Sequence, residues 1–325
     1  MVLATNRTQQ VDRFIAKTPW CDWHRSVIAG DASARQYLRL SKARESVIVM
    51  DAPPNNGEDT EPFAQMAAFL NKNGLSVPDV LSHDRKNGLM ILRDLGPDDF
   101  AHWLNIHPMD QTDLYKAAID VLVHVDTISP PLGLTAMTPE VGAQMVGIVC
   151  EHYCSADATD ITQEMERALT NFAPNPTTLA LRDYHAENLI WRPDKQGLGR
   201  VGLLDFQDAF IAPAGYDFAS LLRDARRDIP QHIADEMINY FAAKTNMHKG
   251  FRTQVACLGV QRNLRILGVF ARLSKVMGKT RYLKFIPRVW DHITHDLADP
   301  ALSDLKRTVT EILPAPTDQL LEGLR

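Results

Sequence analysis

Cysteine is scarce in this sequence, with four residues in a chain of 325. So few thiols cannot build the disulfide framework of a secreted domain, and a reducing compartment is the expected setting. Long apolar runs are missing as well, since no segment approaches the roughly 20 residues that cross a bilayer. The first residues, MVLATNRTQQVDRF, lack the basic-then-apolar pattern of a signal peptide. These absences predict a cytoplasmic protein with no membrane partner.

The chain has no excess of positive charge either. Its 35 lysines and arginines face 40 acidic residues, which gives a net charge of -5 and an isoelectric point near 6.1. A nucleic-acid-binding protein normally carries a basic surface, so no nucleic-acid partner is expected. Hydrophobic residues make up 45% and charged residues 23%, which is typical of a globular protein with one large domain or two lobes. The sequence carries no signature of an oligomeric state.

The first 95 residues have the pattern of a small β-rich lobe. Residues 7–24 predict a short amphipathic helix that stops at a Pro-Trp break, and residues 26–50 alternate short β-branched runs with turn residues. A helix is predicted over 61–73, with Glu and Pro in its first turn and Asn-Gly at its end. The segments SVPDVLSHD and GLMILRDLG predict two more strands. The lobe would thus hold about five antiparallel strands and one inserted helix.

Beyond Gly96 the pattern changes to helical spacing. Apolar residues recur at this spacing in TDLYKAAIDVLVHVDTI, and residues 138–172 and 230–245 are predicted to be helical too. The only later strand signals are NLIWR and VGLLDF, which would pair as one hairpin. We therefore predict an α+β protein with two lobes, a small antiparallel-sheet lobe over residues 1–95 and a larger, mostly helical lobe over 96–325.

Three oxygen-bearing side chains lie at the ends of the two later strands. Asp183 stands five positions before Asn188 in RDYHAENLIW, and Asp205 closes VGLLD. Carboxylates and carboxamides at such places are often simple turn residues. In this order they can also serve phosphoryl transfer, in which one carboxylate orients the attacking hydroxyl and other oxygens hold Mg²⁺ on the phosphates. The whole pattern, following a β-rich lobe, favours phosphoryl transfer.

The order of these elements, with RDYHAENLIW, GLLDFQDA and YDFASLLRDARRD, resembles the aminoglycoside-phosphotransferase-like kinases. The sequence is most similar to the bacterial anomeric kinases of N-acetylmuramate and N-acetylglucosamine in cell-wall recycling, and the resemblance covers nearly the whole chain. It implies a two-lobed protein-kinase-like fold that transfers the γ-phosphoryl group of ATP, with Mg²⁺, to a hydroxyl group. It also implies Asp183 as the catalytic residue, Asn188 and Asp205 as metal ligands, and Asp217 as the residue that ties the catalytic loop down through hydrogen bonds.

The resemblance further implies a nucleotide site between the lobes. The phosphates would lie under a turn near residue 30, and the adenine would bond main-chain groups of the connector after the fifth strand. Bonds to main-chain groups leave little side-chain signature, so GTP fits the pattern as well as ATP does. The residues implied are Gly30, Asp31 and Ser33 for the phosphates and Arg93, Asp94 and Leu95 for the base.

The expected nucleotide site departs from the usual kinase pattern in two ways. The glycine-rich sequence G-x-G-x-x-G is absent, and the third strand, VIVMD, carries Met50 where related kinases place a phosphate-binding lysine. The lack of this lysine is itself typical of the anomeric kinases. Arg35 and Arg39 on the preceding strand are the candidates to replace it, because alternate residues of a strand share a face. We favour Arg39, with Glu61 as the candidate carboxylate that holds this cation.

The acceptor of the phosphoryl group is predicted from fewer residues. His185 in the loop, and Arg223 and Arg226 in RDARRD, are candidate substrate contacts, although charged runs of this kind are usually solvated helix faces. Arg262 and Arg265 in QRNLRILGVFARL are further candidates. Arginines near the acceptor favour a neutral or carboxylate-bearing sugar. An aminoglycoside or choline-type acceptor, and a catalytically silent nucleotide-binding module, are the alternatives.

Overall fold

The computed structural model describes residues 2–28, 35–245 and 250–325, with side chains from residue 6 onwards. These residues form two compact units. The first unit comprises Met1–Asp99 and Leu189–Asp208, and the second comprises Phe100–Asn188 and Ala209–Arg325. The domain boundary at residues 95–96 stays a prediction, and it differs from these units in where it assigns residues 189–208.

An antiparallel sheet of five strands, in the order β1-β2-β3-β5-β4, forms the centre of the first unit. Two helices accompany it, one before β1 and one between β3 and β4. The strands are β1 (His24–Ile28), β2 (Gln36–Lys42), β3 (Glu45–Asp51), β4 (Val80–Asp84) and β5 (Leu89–Arg93), and the helices are α1 (Val2–Ile15) and α2 (Glu61–Lys72). The prediction of an antiparallel-sheet lobe with an inserted helix is confirmed.

Helix α1 packs its apolar side chains against one face of this sheet. Val11, Phe14 and Ile15 share one buried cluster with sheet residues, which are Leu40, Val47, Val49, Leu89 and Ile91. The helix ends at Ile15, where Thr18 Oγ1 donates a hydrogen bond to the Ile15 carbonyl oxygen (2.7 Å), and Pro19 cannot continue a helix. Turns then lead to β1, so the helix predicted before the Pro-Trp break is present and ends a few residues ahead of that break.

A short hairpin of β7 (Leu189–Trp191) and β8 (Val201–Leu203) completes the first unit. Leu189 pairs with Leu203, and the Leu203 N–H donates to the Ser76 carbonyl oxygen at 2.8 Å. Gly202 is required here, because a Cβ on it would lie 2.8 Å from the Leu95 side chain. The hairpin expected from NLIWR and VGLLDF is therefore present.

The second unit is mostly helical. It also contains a two-stranded antiparallel sheet of β6 (Pro176–Ala180) and β9 (Phe210–Pro213), which the sequence analysis missed because both strands are short and begin or end in proline. Its helices are α3 (Phe100–Ile106), α4 (Gln111–Val125), α5 (Pro139–Gln144), α6 (Thr159–Phe172), α7 (Tyr216–Leu222), α8 (Gln231–Thr245), α9 (Phe251–Lys275), α10 (Ile286–Asp296), α11 (Ser303–Ile312) and α12 (Asp318–Gly323). Among the described residues, no helix has the length and apolarity needed to cross a membrane.

The segment 138–172, predicted to be helical, is broken in its middle. Helix α5 ends at Gln144, a π-helical turn covers Cys150–Cys154, and α6 begins only at Thr159. The backbone of this break lies directly against the long helix α9, since a Cβ on Gly268 would come within 2.6 Å of the Val149 nitrogen. The absence of a side chain at position 268 therefore allows α9 to approach the broken segment.

Candidate active site

The loop between β6 and β7, residues 181–188, is held in an unusual conformation. The Asp183 N–H donates to the Leu181 carbonyl oxygen at 3.0 Å, and the intervening Arg182 has a φ of 75°. A hydrogen bond from residue i+2 to residue i around a positive φ defines a γ-turn of the rare, strained kind. Strain of this sort persists only where the surrounding structure enforces it, and it occurs preferentially at functional sites.

Asp217, in the first turn of α7, helps to hold the loop in this strained conformation. Its carboxylate accepts hydrogen bonds from the backbone N–H groups of Leu181 and Arg182, the latter at 2.9 Å. The side chain is buried, and burial raises the pKa of Asp217 to about 7, although the two backbone N–H groups and Arg262 act in the opposite direction. The carboxylate thus fixes both residues that precede Asp183 and orients its backbone.

Asn188 closes the other end of the loop. Its amide nitrogen donates to the Asp183 carbonyl oxygen at 2.9 Å and lies 3.3 Å from His185 Nε2. With the nitrogen engaged in this way, the amide oxygen is the group of Asn188 that could serve as a metal ligand. Asn188 immediately precedes β7, so its position is coupled to the start of the hairpin.

His185 is buried inside the loop and is electrically neutral at physiological pH. Burial and the nearby charges of Arg226 and Arg262 hold the pKa of His185 well below its usual range. Its Nε2 faces two donors, the Asn188 amide nitrogen and Arg226 Nη1 at 3.4 Å, so the ring proton belongs on Nδ1. Within the described residues this Nδ1 has no hydrogen-bond partner. The predicted substrate contact of His185 stays a prediction.

Asp205 follows β8 in the first unit and also has an unusual backbone, with a φ of 57°. One of its carboxylate oxygens accepts a hydrogen bond from Gln207 Nε2 at 2.8 Å. Arg35 and Tyr37, at the start of β2, lie close enough to interact with it electrostatically. A carboxylate oxygen with a neighbouring cation is therefore present at this predicted metal position.

Arg35 forms a largely buried ion pair with Glu58. Arg35 Nε lies 2.8 Å from a Glu58 oxygen, and the two side chains are 12% and 17% exposed. Although burial disfavours the charged form, the carboxylate of Glu58 raises the pKa of Arg35. Glu61, the carboxylate favoured by the sequence analysis, instead pairs with the exposed Arg85 at 3.3 Å. Glu58 lies in the same NGEDTE segment, three residues before Glu61, and the role of Glu61 stays a prediction that this pairing does not favour.

Arg39 is engaged elsewhere in the first unit. Its guanidinium pairs with Asp94 at 2.7 Å, and the Asp94 carboxylate also accepts hydrogen bonds from Ser46 Oγ (2.8 Å) and the Gly96 N–H (3.0 Å). The Asp94 side chain therefore holds the connector after β5 in place, because it binds β2, β3 and the backbone of Gly96. The role predicted for Arg39 as the phosphate partner remains a prediction that this geometry does not favour.

The remaining residues expected to bind nucleotide fall into two groups. Gly30, Asp31 and Ser33 lie outside the described residues. The contacts of Arg93 and Leu95 with the base stay predictions. The Arg93 N–H already donates to the Asp79 carbonyl oxygen at 2.9 Å, and its side chain pairs with the Asp79 carboxylate. Any further main-chain bond from Arg93 would have to use its carbonyl oxygen.

The two arginines proposed from RDARRD have different surroundings. Arg223 makes a buried two-pronged ion pair with Asp296, at 2.7 Å and 2.9 Å, so its guanidinium is committed to α10 rather than to a substrate. Arg226 pairs with Glu187 at 2.9 Å and reaches His185. Its position next to the loop is compatible with the predicted substrate contact, and the contact of Arg223 stays a prediction that its pairing with Asp296 does not favour.

A cluster of arginines surrounds Asp183 in the second unit. Arg262 and Arg265 lie one turn apart on α9, and both act electrostatically on Tyr216, which is also near Asp183. Burial and the like charges of Arg182 and Arg262 lower the pKa of Arg265, while Asp183 acts in the opposite direction. The sequence analysis gave these arginines a minor place and missed Tyr216, because only the fold brings α7 and α9 to the same loop.

A five-stranded antiparallel sheet, a larger helical unit and a strained loop with Asp183 together define the protein-kinase-like class of phosphotransferases. A family model described as the phosphotransferase enzyme family matches residues 24–250. The chain belongs to this family. It is therefore an enzyme that transfers a phosphoryl group to a hydroxyl group.

Two full-length relatives share the family. The chain is 34% identical to a protein of Caulobacter vibrioides named N-acetylmuramate/N-acetylglucosamine kinase, over 98% of this chain and 99% of that protein. It is 30% identical to a protein of the same name from Pseudomonas aeruginosa, over 85% of each chain.

Solved structures with low sequence identity share the fold. A choline/ethanolamine kinase family protein from Mesorhizobium loti superimposes with a TM-score of 0.64 at 12% identity, covering 94% of this chain and 99% of the other. A spectinomycin phosphotransferase, solved with ADP and spectinomycin, gives a TM-score of 0.60 at 14% identity, covering 94% and 98%. The family and this fold support the use of a nucleotide by the present chain.

Proposed function

We propose that this enzyme uses ATP to phosphorylate the anomeric hydroxyl of an N-acetyl amino sugar, either N-acetylmuramate or N-acetylglucosamine, in the cytoplasm. The names of the full-length relatives support the acceptor. The observation that carries the chemistry is the strained loop, in which Asp217 fixes the backbone that presents Asp183.

Asp183 is the proposed catalytic residue. Its carboxylate would orient the acceptor hydroxyl and receive its proton, as the corresponding carboxylate does in phosphoryl transfer by kinases. An anomeric hydroxyl is more acidic than an ordinary alcohol, so a carboxylate without a strongly raised pKa suffices as the base. The hydrogen bonds at both ends of the loop hold Asp183 in place before the substrate binds, which reduces the reorganisation needed during transfer.

Mg²⁺ is the metal that the donor set fits best. The Asn188 amide nitrogen is engaged by the loop, which leaves its oxygen as the donor to a metal, and Asp205 would supply carboxylate oxygens. Oxygen donors of this kind, completed by water and phosphate, are what Mg²⁺ prefers. When bound, the ion would offset charge on the phosphates. We assign Asn188 and Asp205 as its protein ligands.

Arg35 is the proposed substitute for the missing phosphate-binding lysine. It lies beside Asp205, and Glu58 holds its guanidinium in place within a largely buried pair. A guanidinium presents a planar set of donors that suits phosphate oxygens, whereas Arg39 is already occupied by Asp94. This assignment reverses the preference reached from the sequence.

The function can be tested by phosphorus NMR on the protein with ATP, Mg²⁺ and three acceptors, N-acetylglucosamine, N-acetylmuramate and kanamycin. We expect an acid-labile sugar 1-phosphate signal from the amino sugars, and we expect Asp183→Asn to abolish it while ATP binding is retained. Asp194→Asn is the matched control, because Asp194 is exposed and pairs with its neighbour Lys195. A product from kanamycin alone, or an active Asp183→Asn variant, would reject the proposal.

A further inference from the structure

Three arginine side chains converge on the loop that carries Asp183, all within the second unit. Arg182 directly precedes Asp183, and Arg265 acts electrostatically with Arg182, Arg262 and Asp183. Arg262 and Arg265 are three residues apart on α9 and therefore lie on the same face of the helix. Like charges this close repel one another, and Asp183, together with Asp217 and Asp224 near Arg262, offsets only part of that repulsion, so a bound anion would be favourable here.

The two helix arginines lack the partners that other buried arginines of this unit have. Arg223 is paired with Asp296 and Arg226 with Glu187. Arg262 is only 4% exposed and Arg265 is half-buried, and the hydrogen bonds and ion pairs found among the described residues include neither guanidinium group. Buried charges are normally paired, so these guanidinium groups are available to a ligand.

Tyr216 adds a further unsatisfied polar group to this cluster. It is 2% exposed, and its hydroxyl finds no hydrogen-bond partner among the described residues. Tyr216 interacts electrostatically with Arg262, Arg265 and Asp183, which places it beside the same arginines. A buried tyrosine hydroxyl usually has a partner. An oxygen of a bound anion would supply one for the hydroxyl and a counter-charge for the arginines.

We propose that Arg265, supported by Arg262 and the Tyr216 hydroxyl, binds a carboxylate group of the acceptor sugar. This inference rests on the proposed function, because it places the acceptor next to Asp183. N-acetylmuramate differs from N-acetylglucosamine by a lactyl ether that ends in a carboxylate, so the cluster would favour the sugar acid over the neutral sugar. The phosphates of the nucleotide have separate partners assigned to them, Arg35 and the metal ligands.

The test compares kcat/KM for N-acetylmuramate, its carboxamide and N-acetylglucosamine in the wild type and in Arg265→Gln. We expect kcat/KM for N-acetylmuramate to fall by about 10- to 100-fold, the value of a charge-assisted hydrogen bond, and kcat/KM for the two neutral sugars to change by less than about 3-fold. Arg265→Lys should restore part of the preference, since it keeps the charge but not the planar donor set.

Arg272→Gln is the matched control, because Arg272 lies on the same helix and is exposed. Thermal unfolding of each variant shows whether it is folded. If Arg265→Gln is unfolded, the kinetic comparison is made with Arg265→Lys in its place. Equal losses for all three sugars, or an unchanged preference for N-acetylmuramate, would overturn the carboxylate assignment while the proposed function stands. If the wild type phosphorylates no amino sugar, the proposed function fails and this inference fails with it.

Discussion

At the scale of single residues, two arginines four positions apart make different ion pairs. Arg35 directly precedes β2 and Arg39 lies within it, and both are paired with carboxylates of the first unit. Arg35 is paired with Glu58 and lies beside Asp205, whereas Arg39 holds the connector through Asp94. We propose the first arrangement for phosphate binding, and the second ties β2 to the residues that follow β5.

Substitution of these arginines separates the two roles. We expect Arg35→Met to lower kcat/KM for ATP by about 100-fold, because a positioned cation on the phosphates is lost, with Arg35→Lys retaining part of the activity. Arg39→Met should instead lower the free energy of unfolding by about 1–3 kcal/mol, because the buried Asp94 carboxylate loses its counter-charge. Steady-state kinetics and urea unfolding of both variants measure the difference. A larger kinetic loss in Arg39→Met would make Arg39 the phosphate partner.

At the scale of elements, α9 depends on close backbone packing. A Cβ on Gly268 would lie within 2.6 Å of the backbone at Ile148 and Val149, which is closer than real Cβ atoms approach. The atoms in the way belong to backbone, so they cannot move aside as the end of a side chain could. This contact sets the distance between the broken segment and α9, the helix that carries Arg262 and Arg265.

The substitution Gly268→Ala tests this packing. We expect it to lower the free energy of unfolding by about 1–3 kcal/mol through overpacking, despite the better helix propensity of alanine. Gly147→Ala is the matched control, since the nearest atom to its added Cβ would be at 3.4 Å, close to ordinary contact. Urea unfolding of both variants gives the comparison. If the Gly268→Ala protein is as stable as the wild type, the backbone of the broken segment at 145–158 can move aside at little cost in free energy.

The elements that could be predicted from the sequence are those with a local signal. The β-branched run of β3 and the short apolar run of β7 are readable because a few consecutive residues carry the whole strand signal. The choice between Glu58 and Glu61, or between Arg35 and Arg39, depended on residues far away in the chain. The charged run with Arg223 looked like a solvated face, but the fold buries Arg223 against Asp296, some seventy residues later. Non-local contacts of this kind leave no periodic signal.

At the scale of the whole molecule, buried carboxyl groups make stability depend on pH. Asp126 is largely buried, lines a small cavity of about 20 Å³ with Thr178 and Asp217, and has one carboxyl oxygen without a partner among the described residues. Burial raises the pKa of Asp126 from 3.8 to about 6. The folded protein therefore keeps this proton between pH 4 and 6, where the unfolded chain releases it, so this group lowers stability as pH rises through that window.

The variant Asp126→Asn should remove this pH dependence. The difference in the free energy of unfolding between this variant and the wild type should be more favourable to the variant at pH 7.5 than at pH 4.0. We expect this change to be about 1–3 kcal/mol, since one pKa unit corresponds to about 1.4 kcal/mol. Urea unfolding at both pH values measures the gain, and Asp304→Asn is the exposed control. A variant that shows the same difference from the wild type at both pH values would exclude Asp126 as the cause.

The placement of the β7–β8 hairpin has a consequence for the covalent organisation of the protein. The chain passes from one compact unit to the other three times, after Asp99, after Asn188 and after Asp208. No single cut of the polypeptide can therefore release either unit intact. A fragment ending at residue 99 would lack the strands whose backbone bonds to Ser76 and Asp98, namely the N–H groups of Leu203 and Trp191. Circular permutation within the loops of one unit would leave the other unit divided in the same way.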